Sequence, residues 1–301
     1  KAKLSKLNFV ENDSTASLSL KLLSNFEGNS IDNLRGSIQL TETQLTKHEK
    51  KLNVNNFQIH AEHLRDTHKI FLQSDYIEGS LVGKYRSSSV HQSLKNLFYS
   101  YLPVFIEKPE DTAQVERKNN FKLDIQLKNT DPITRIFTPN ISFSDNSSIH
   151  LDYSGSRKTF NLVAESGKLR FKNYYLDQLN LESESQDSIF SLIMDFNQFQ
   201  FDSTGQNTYF NDFELKSLTG QNSSKLLVNW IEPATGQMKG EILSIIDLES
   251  SPVTNNLRTN IFILPGEINF QDKKWTIARS SIRIDTSSFR FNNLKLFHGN
   301  Q

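Results

Sequence analysis

The chain has 301 residues but no cysteine, only seven prolines and twelve glycines, and no net charge. Without cysteine it can form neither disulfides nor thiolate metal sites. The 34 lysines and arginines balance 34 aspartates and glutamates, which removes the global positive field typical of a nucleic-acid-binding protein. No stretch approaches the roughly 18–20 consecutive apolar residues of a membrane-spanning helix. These absences argue against a disulfide scaffold, a nucleic-acid module and a transmembrane helix in this part of the chain.

Catalytic and metal-binding motifs are also missing. The sequence contains no G-x-S-x-G nucleophile motif, and "GSLVGK" lacks the spacing of a phosphate-binding loop. The segment "HAEHLRDTH" brings His60, His63 and His68 close in sequence but lacks the H-E-x-x-H spacing, and on a single strand His63 would face away from the other two. We therefore predict no catalytic residues, no metal site and no cofactor, and interpret the chain as not an enzyme.

What the sequence does contain is strict alternation of apolar and polar residues. The stretches "ASLSLKL" and "FKLDIQLKN" are two of many examples, and the 22 phenylalanines concentrate the apolar content in large side chains. Alternation of this kind predicts strands with one buried and one solvated face, which favours an antiparallel sheet. The fold class predicted is mainly all-β, with roughly twenty strands.

One segment breaks the alternation and predicts an amphipathic helix at residues 87–106. Its apolar side chains recur at helical spacing, which places them on one docking face: Val90, Leu94, Leu97, Phe98 and Tyr101. Pro103 supplies a stop signal, and the charged residues 107–120 that follow predict a mobile linker or loop. The helix and linker would separate a first β-segment, residues 1–86, from a second, residues 121–301.

Apolar residues near the C-terminus come in pairs two positions apart, as in "WTIARSSIRIDTSSFRFNNLKLF". Many strands of this kind must bury one face, and three arrangements do so. A closed barrel or a sandwich buries the face internally. A long sheet curled into an open trough instead leaves an extended apolar inner surface, and exposed apolar surfaces of that size usually mark binding sites.

Two blocks of the sequence resemble the TamB branch of the AsmA-like family of bridge-like lipid-transfer proteins. The first runs "FLQSDYIEGSLVGKYRSSSVHQSLKNLFYSYLP", with Ser74, Asp75, Gly83, Tyr85 and Pro103 at the pattern positions. The second is the C-terminal W-x-I, I-x-I-D and F-x-F-N-N-L-x-L pattern, carried by Trp275, Ile277, Ile282, Ile284, Asp285, Phe289, Phe291, Asn292 and Leu294. Together they cover about a quarter of the chain, and they are most similar to the versions from Bacteroides-type bacteria.

The resemblance implies a β-taco, an elongated curled antiparallel sheet with an apolar groove. It implies a periplasmic segment of a Gram-negative protein anchored in the inner membrane, which carries phospholipid acyl chains and supports outer-membrane biogenesis with a barrel partner of the TamA or BamA kind. We expect the chain to be a fragment of that longer protein.

The predicted groove lining consists of Leu179, Leu181, Phe213, Leu215, Ile261, Ile263, Ile282, Ile284, Phe289, Phe291, Leu294 and Leu296. Alternation then directs Arg283, Asp285, Arg290 and Lys295 to water. The alternative is a β-rich scaffold or adhesin-like module whose apolar faces seal against each other and bind no ligand.

Overall fold

The computed structural model describes residues 2–3, 16–47, 49–108, 119–186, 188–201, 208–232, 238–250, 256–270, 273–286 and 288–299. Strands dominate these residues, as the alternation predicts. The strands are β1 Ala2–Lys3, β2 Ser17–Glu27, β3 Arg35–Lys47, β4 Lys50–Leu64, β5 Thr67–Ser74, β6 Ile77–Lys84, β7 Asn120–Leu127, β8 Ile141–Phe143, β9 Ser147–Ser154, β10 Thr159–Phe171, β11 Tyr174–Gln186, β12 Ile189–Phe201, β13 Thr208–Gly220, β14 Ser223–Ile231, β15 Lys239–Ser250, β16 Leu257–Ile263, β17 Gly266–Phe270, β18 Lys273–Ile277, β19 Ser280–Ile284, β20 Phe289–Asn292 and β21 Leu296–Phe297.

All strands belong to one antiparallel sheet, in which almost every strand pairs with its neighbour in sequence. Sixteen strands follow one another from β2 to β20, skipping only β8, β17 and β18. The sheet forks at β15, where β16 pairs with one half of the strand and β17 with the other. At a spacing of about 4.8 Å between strands, the succession extends about 70 Å.

The sheet is long, curled and open, which confirms the predicted fold class. Among the described residues no pairing joins the first strands to the last, so the sheet does not close into a barrel. The accessible surface of the chain is 19076 Å², against about 13,000 Å² for a compact monomer of this mass. A large surface is expected of strands that form one sheet without a second sheet packed against it.

Helix α1, Ser87–Tyr101, lies within the predicted helical segment but ends earlier than residue 106. The serines that precede its apolar face do not cap it. The N-cap residue is Arg86, and the orphan backbone N–H of Ser87 donates to Asp32 Oδ1 at 2.6 Å. Asp32 belongs to a 3₁₀ turn, Ile31–Asn33, in the β2–β3 connection. A side chain 55 residues away in sequence therefore accepts the hydrogen bond that an N-cap serine or threonine usually accepts.

A second short helix, α2 Asp131–Phe137, was not predicted, because the chain after residue 120 was interpreted as strands throughout. Seven residues are too few to show a helical apolar period. The helix lies beside β4, where Lys50 Nζ donates to the carbonyl oxygen of Arg135 at 3.0 Å. Asp75 Oδ2 accepts hydrogen bonds from the backbone N–H groups of Asn55 and Asn56. Helix α2 and Asp75 together cover the part of β4 that extends beyond its partner β5. Such cover protects an edge from unwanted strand pairing.

The predicted linker, residues 107–120, lies mostly outside the described residues, since 109–118 are not described. Its last two positions differ from the prediction. Asn120 opens β7, and Asn119 is completely buried. The Asn119 side chain accepts from the backbone N–H of Arg86 and donates to Ser89 and Ser93, which ties the start of β7 to helix α1.

Candidate functional site: a half-open apolar trough

Pairing registers assemble the apolar residues of successive strands onto one face, here called the inner face. Residues paired across a ladder share a face of the sheet. Leu123 of β7 pairs with Leu81 of β6 and Leu151 of β9, and Leu151 pairs with Leu162 of β10. The same logic extends in both directions, so the large residues of the inner face are mostly apolar from β2 to β20.

The structure places eleven of the twelve predicted lining residues on this inner face. Leu181 pairs with Met194, which pairs with Leu215, and Ile261 pairs with Ile282, which pairs with Phe291. The inner-face members are Leu179, Leu181, Phe213, Leu215, Ile261, Ile263, Ile282, Ile284, Phe289, Phe291 and Leu296. The twelfth, Leu294, lies in the connection between β20 and β21 and belongs to no strand.

None of these twelve side chains is buried. Eight are half-buried, and the four at the C-terminal end are exposed by 51–59%, namely Phe289, Phe291, Leu294 and Leu296. A sealed sandwich would bury most such residues, because its two inner faces interdigitate. The inner face is therefore an open apolar surface rather than one half of a closed core.

The opposite face of the sheet, here called the polar face, carries paired charges, although it also exposes single apolar side chains such as Phe71, Leu218 and Phe262. Lys122 Nζ lies 3.1 Å from Asp152 Oδ2, and His150 Nδ1 lies 2.7 Å from Asp124 Oδ1. Arg283 and Arg290 pair across the β19–β20 ladder on this face, as predicted for residues that point to water. Asp285 lies in the turn after β19, and Lys295 is exposed in the connection between β20 and β21.

One rim of the inner face is covered by helix α1. The five residues of its predicted docking face all lie in one apolar cluster with strand residues, and Leu97 and Tyr101 are exposed by only 5% and 1%. The strand partners are Phe121, Tyr153, Phe160, Phe190, Leu81, Leu151 and Leu162, and Tyr85 joins them from the connection between β6 and α1. The ring of Phe98 packs edge-on against Phe160 and Phe190, with centroids 5.5 Å apart in both pairs. This cluster is the largest sealed core among the described residues.

Two hydroxyl groups in that cluster have no hydrogen-bond partner. Tyr85, just before α1, and Tyr101, at its end, both bury their hydroxyl oxygens without a partner. Burial raises the pKa of Tyr85 to about 12, and the nearby charge of Asp32 adds to the shift. An unpartnered buried hydroxyl costs on the order of 1–3 kcal/mol. Docking of α1 therefore loses some free energy at both ends of the helix, where these hydroxyls are buried.

Aromatic side chains line the opposite rim of the trough, and of these the sequence analysis singled out only Phe213. Phe196 stacks on Phe213 with centroids 4.6 Å apart, and Tyr174 stacks on Phe199 at 5.6 Å. Phe210 continues the cluster, 6.4 Å from Phe213. Phe196 and Phe199 are three positions apart in β12 yet lie 6.4 Å from each other on the same side of the sheet, so simple alternation does not predict this grouping.

Small and large residues alternate along the inner face from strand to strand. Ser183 pairs with Leu192, Leu192 with Ser217, Ser217 with Leu226, and Leu226 with Ser244. The three serines are buried between their larger neighbours. Residues within one strand cannot reveal this pattern, since it exists only between strands. Small side chains leave room on a concave face, which suits a sheet that curls inward.

The histidines of "HAEHLRDTH" are arranged differently from the expectation for a single strand. The β4–β5 hairpin pairs His63 with His68, and their Nδ1 atoms lie 3.1 Å apart on the inner face. His60 lies on the polar face beside Glu62. Burial lowers the pKa of His68, the charge of His63 lowers it further, and Asp32 opposes the shift. No group of three or more potential metal ligands lies together in the described part of the chain.

Comparisons with known proteins identify no relative. No protein-family model, curated protein or solved structure matches the chain. Within the residues that the structure describes, no helix has the length and apolar character needed to cross a bilayer. A concavity of about 730 Å³ lies beside Trp230, and its lining includes Lys239, Glu241, Glu267 and Lys274. Its charged lining differs in kind from the apolar inner face.

Proposed function

We propose that the chain is a segment of a lipid-carrying bridge, whose inner face holds the acyl chains of phospholipids while their headgroups stay in water. The observation that carries this proposal is the inner face, which presents large apolar residues on strand after strand and whose predicted lining residues all remain partly exposed to water. An apolar surface of this extent in water favours an apolar occupant.

Acyl chains fit this surface because their recognition requires little beyond apolar contact. Each methylene group removed from water stabilises binding by about 0.8 kcal/mol, without any acid, base or metal. The open side of the trough leaves room for headgroups of any chemistry. A trough of many similar strands offers the same environment along its length, which suits movement of many identical ligands.

The resemblance to TamB and the AsmA-like family supports placing this segment in the periplasm of a Gram-negative bacterium. In that setting, the parent protein is anchored in the inner membrane and moves phospholipid toward the outer membrane. Its partner is an outer-membrane barrel protein of the TamA or BamA kind. The chain acts in this process as a conduit and not as an enzyme.

Bound lipid tests the proposal directly. The purified chain is incubated with vesicles of phosphatidylethanolamine and phosphatidylglycerol, recovered, and analysed by native mass spectrometry. We expect phospholipid to remain bound to the wild-type chain. Recovery of lipid-free protein under these conditions contradicts the proposal and favours the alternative of a scaffold without ligand.

A pair of neighbouring substitutions in β19 makes the test specific to the inner face. Ile284→Asp places a charge on the inner face, where water still has access, so the sheet should fold and bind at least about tenfold less lipid. Arg283→Asp places the same side chain on the polar face and should leave lipid binding unchanged. Unfolding of Ile284→Asp, seen by circular dichroism, would point to a sealed core, and equal lipid loss in both variants would contradict the assignment of faces.

A further inference from the structure

We infer that helix α1 is a displaceable occupant of the trough, docked where acyl chains would otherwise lie, and that its release regulates how much lipid the trough holds. This inference rests on the proposed function, because it concerns the same apolar surface. It assigns to α1 a role beyond packing, namely competition with the ligand.

The competition follows from the position of α1 on the inner face. In β9 the inner-facing residues are Ser147, Ile149, Leu151 and Tyr153, and only Leu151 and Tyr153 belong to the cluster around α1. The helix therefore covers the half of the strand next to one rim and leaves the other half open. Acyl chains that entered the covered half would have to contact the same side chains that α1 contacts.

Polar contacts at its two ends hold α1 in place. At the N-terminal end, Ser87 donates its backbone N–H to Asp32, in the β2–β3 connection. At the C-terminal end, the backbone N–H of Asn222 donates to the carbonyl oxygen of Tyr101 at 2.9 Å, and the N–H of Val104 donates to Asn222 Oδ1 at 2.8 Å. Asn222 lies in the β13–β14 turn, so α1 is fastened to connections far apart in the sheet.

The docked position also contains groups that favour release. The hydroxyls of Tyr85 and Tyr101 are buried without partners at the two ends of α1, and both would regain hydrogen bonds with water if the helix left the trough. Apolar contacts, the Asn119 hydrogen bonds to Ser89 and Ser93, and the polar contacts at its two ends stabilise docked α1, whereas the two unpartnered hydroxyls favour its release. An arriving lipid would replace the apolar contacts that α1 gives up.

Asn222→Gly tests the inference by weakening one fastening. Asn222 has a φ of 63°, which glycine adopts freely, so the substitution removes the Val104 acceptor without straining the turn. Losing one hydrogen bond should raise the undocked fraction of α1 about fivefold. The control is Gln221→Gly, at the neighbouring turn position with a φ of 52° and an exposed side chain.

Two readouts separate this inference from the proposed function. Hydrogen exchange of residues 87–104 in the full chain reports undocking without any lipid. Phospholipid bound from the same vesicles reports occupancy. We expect Asn222→Gly to exchange faster and to bind about fivefold more lipid than wild type at subsaturating vesicle concentration, while Gln221→Gly matches wild type in both.

The inference is overturned if Asn222→Gly accelerates exchange but leaves lipid binding equal to wild type or lower, because α1 then does not compete. It is also overturned if hydrogen exchange of residues 87–104 is the same in Asn222→Gly as in wild type, because the Asn222 contact would then not hold α1 in its docked position. If neither wild type nor variant binds phospholipid, the proposed function fails as well, whatever the exchange of α1 shows.

Discussion

At the scale of single residues, the two buried hydroxyls beside α1, those of Tyr85 and Tyr101, lack hydrogen-bond partners. Tyr101→Phe removes a hydroxyl that has no partner and keeps the ring against Phe190, whose centroid lies 5.7 Å away. We expect the variant to be as stable as wild type or up to about 1–2 kcal/mol more stable, measured by urea unfolding.

Tyr76→Phe provides the matched control. The Tyr76 hydroxyl donates to the backbone carbonyl oxygen of Asn53, so its removal should cost about 1 kcal/mol. The opposite signs of the two changes distinguish a hydroxyl that lacks a partner from one that has a partner. Equal destabilisation by both substitutions would show that Tyr101 finds a hydrogen bond in solution.

The His63–His68 pair predicts a loss of stability in mild acid. Because burial and His63 lower the pKa of His68 in the folded chain, the unfolded chain binds more protons once pH falls toward the ordinary histidine range. Stability is therefore retained above that range and decreases as pH drops from about 7 to 5. Urea unfolding across this interval should show a smaller decrease for His68→Gln than for wild type.

The surroundings of His68 define the control for that experiment. The groups that face it are His63 across the hairpin, the ring of Tyr85 at 5.2 Å and the carboxylate of Asp32. His60→Gln changes a histidine on the polar face and should leave the acid dependence as it is in wild type. An unchanged dependence in His68→Gln would mean that other groups cause the acid sensitivity.

At the scale of elements, helix α1 contributes the only extensive sealed packing in the described part of the chain. Leu97→Ala removes a side chain exposed by 5% from the centre of that packing and should destabilise the fold by about 2–4 kcal/mol. His91→Ala, on the exposed side of the same helix, should change stability by less than about 0.5 kcal/mol. Similar small effects of both substitutions would show that α1 is not docked in solution.

Sequence patterns predicted the strands and α1 because their signals are local. Alternation within a strand decides which face a residue occupies, and a period of 3.6 decides which side of a helix docks. The signals that were missed are relations between segments. Asp32 caps α1 from the β2–β3 connection, the alternation of Ser183, Leu192 and Ser217 exists only across strands, and the pairing of His63 with His68 depends on where the hairpin turns.

At the scale of the whole molecule, the open sheet predicts an elongated particle. A compact chain of 301 residues would have a radius of gyration of about 19 Å. A curled sheet about 70 Å long should instead give about 23 Å or more. Small-angle scattering of the monomer measures this value directly, and a radius near 19 Å would contradict the open trough.

The pairing of sequence neighbours, described above as topology, also determines how the chain can fold and grow. Contacts between adjacent strands require only short loops to close, so the ladder can form hairpin by hairpin without first bringing distant segments together. Because each strand pairs mainly with its neighbours in sequence, the number of strands, and so the length of the sheet, can change without altering the rest of the fold. A hairpin inserted into such a ladder would add about 10 Å of trough and disturb only the two strands beside it.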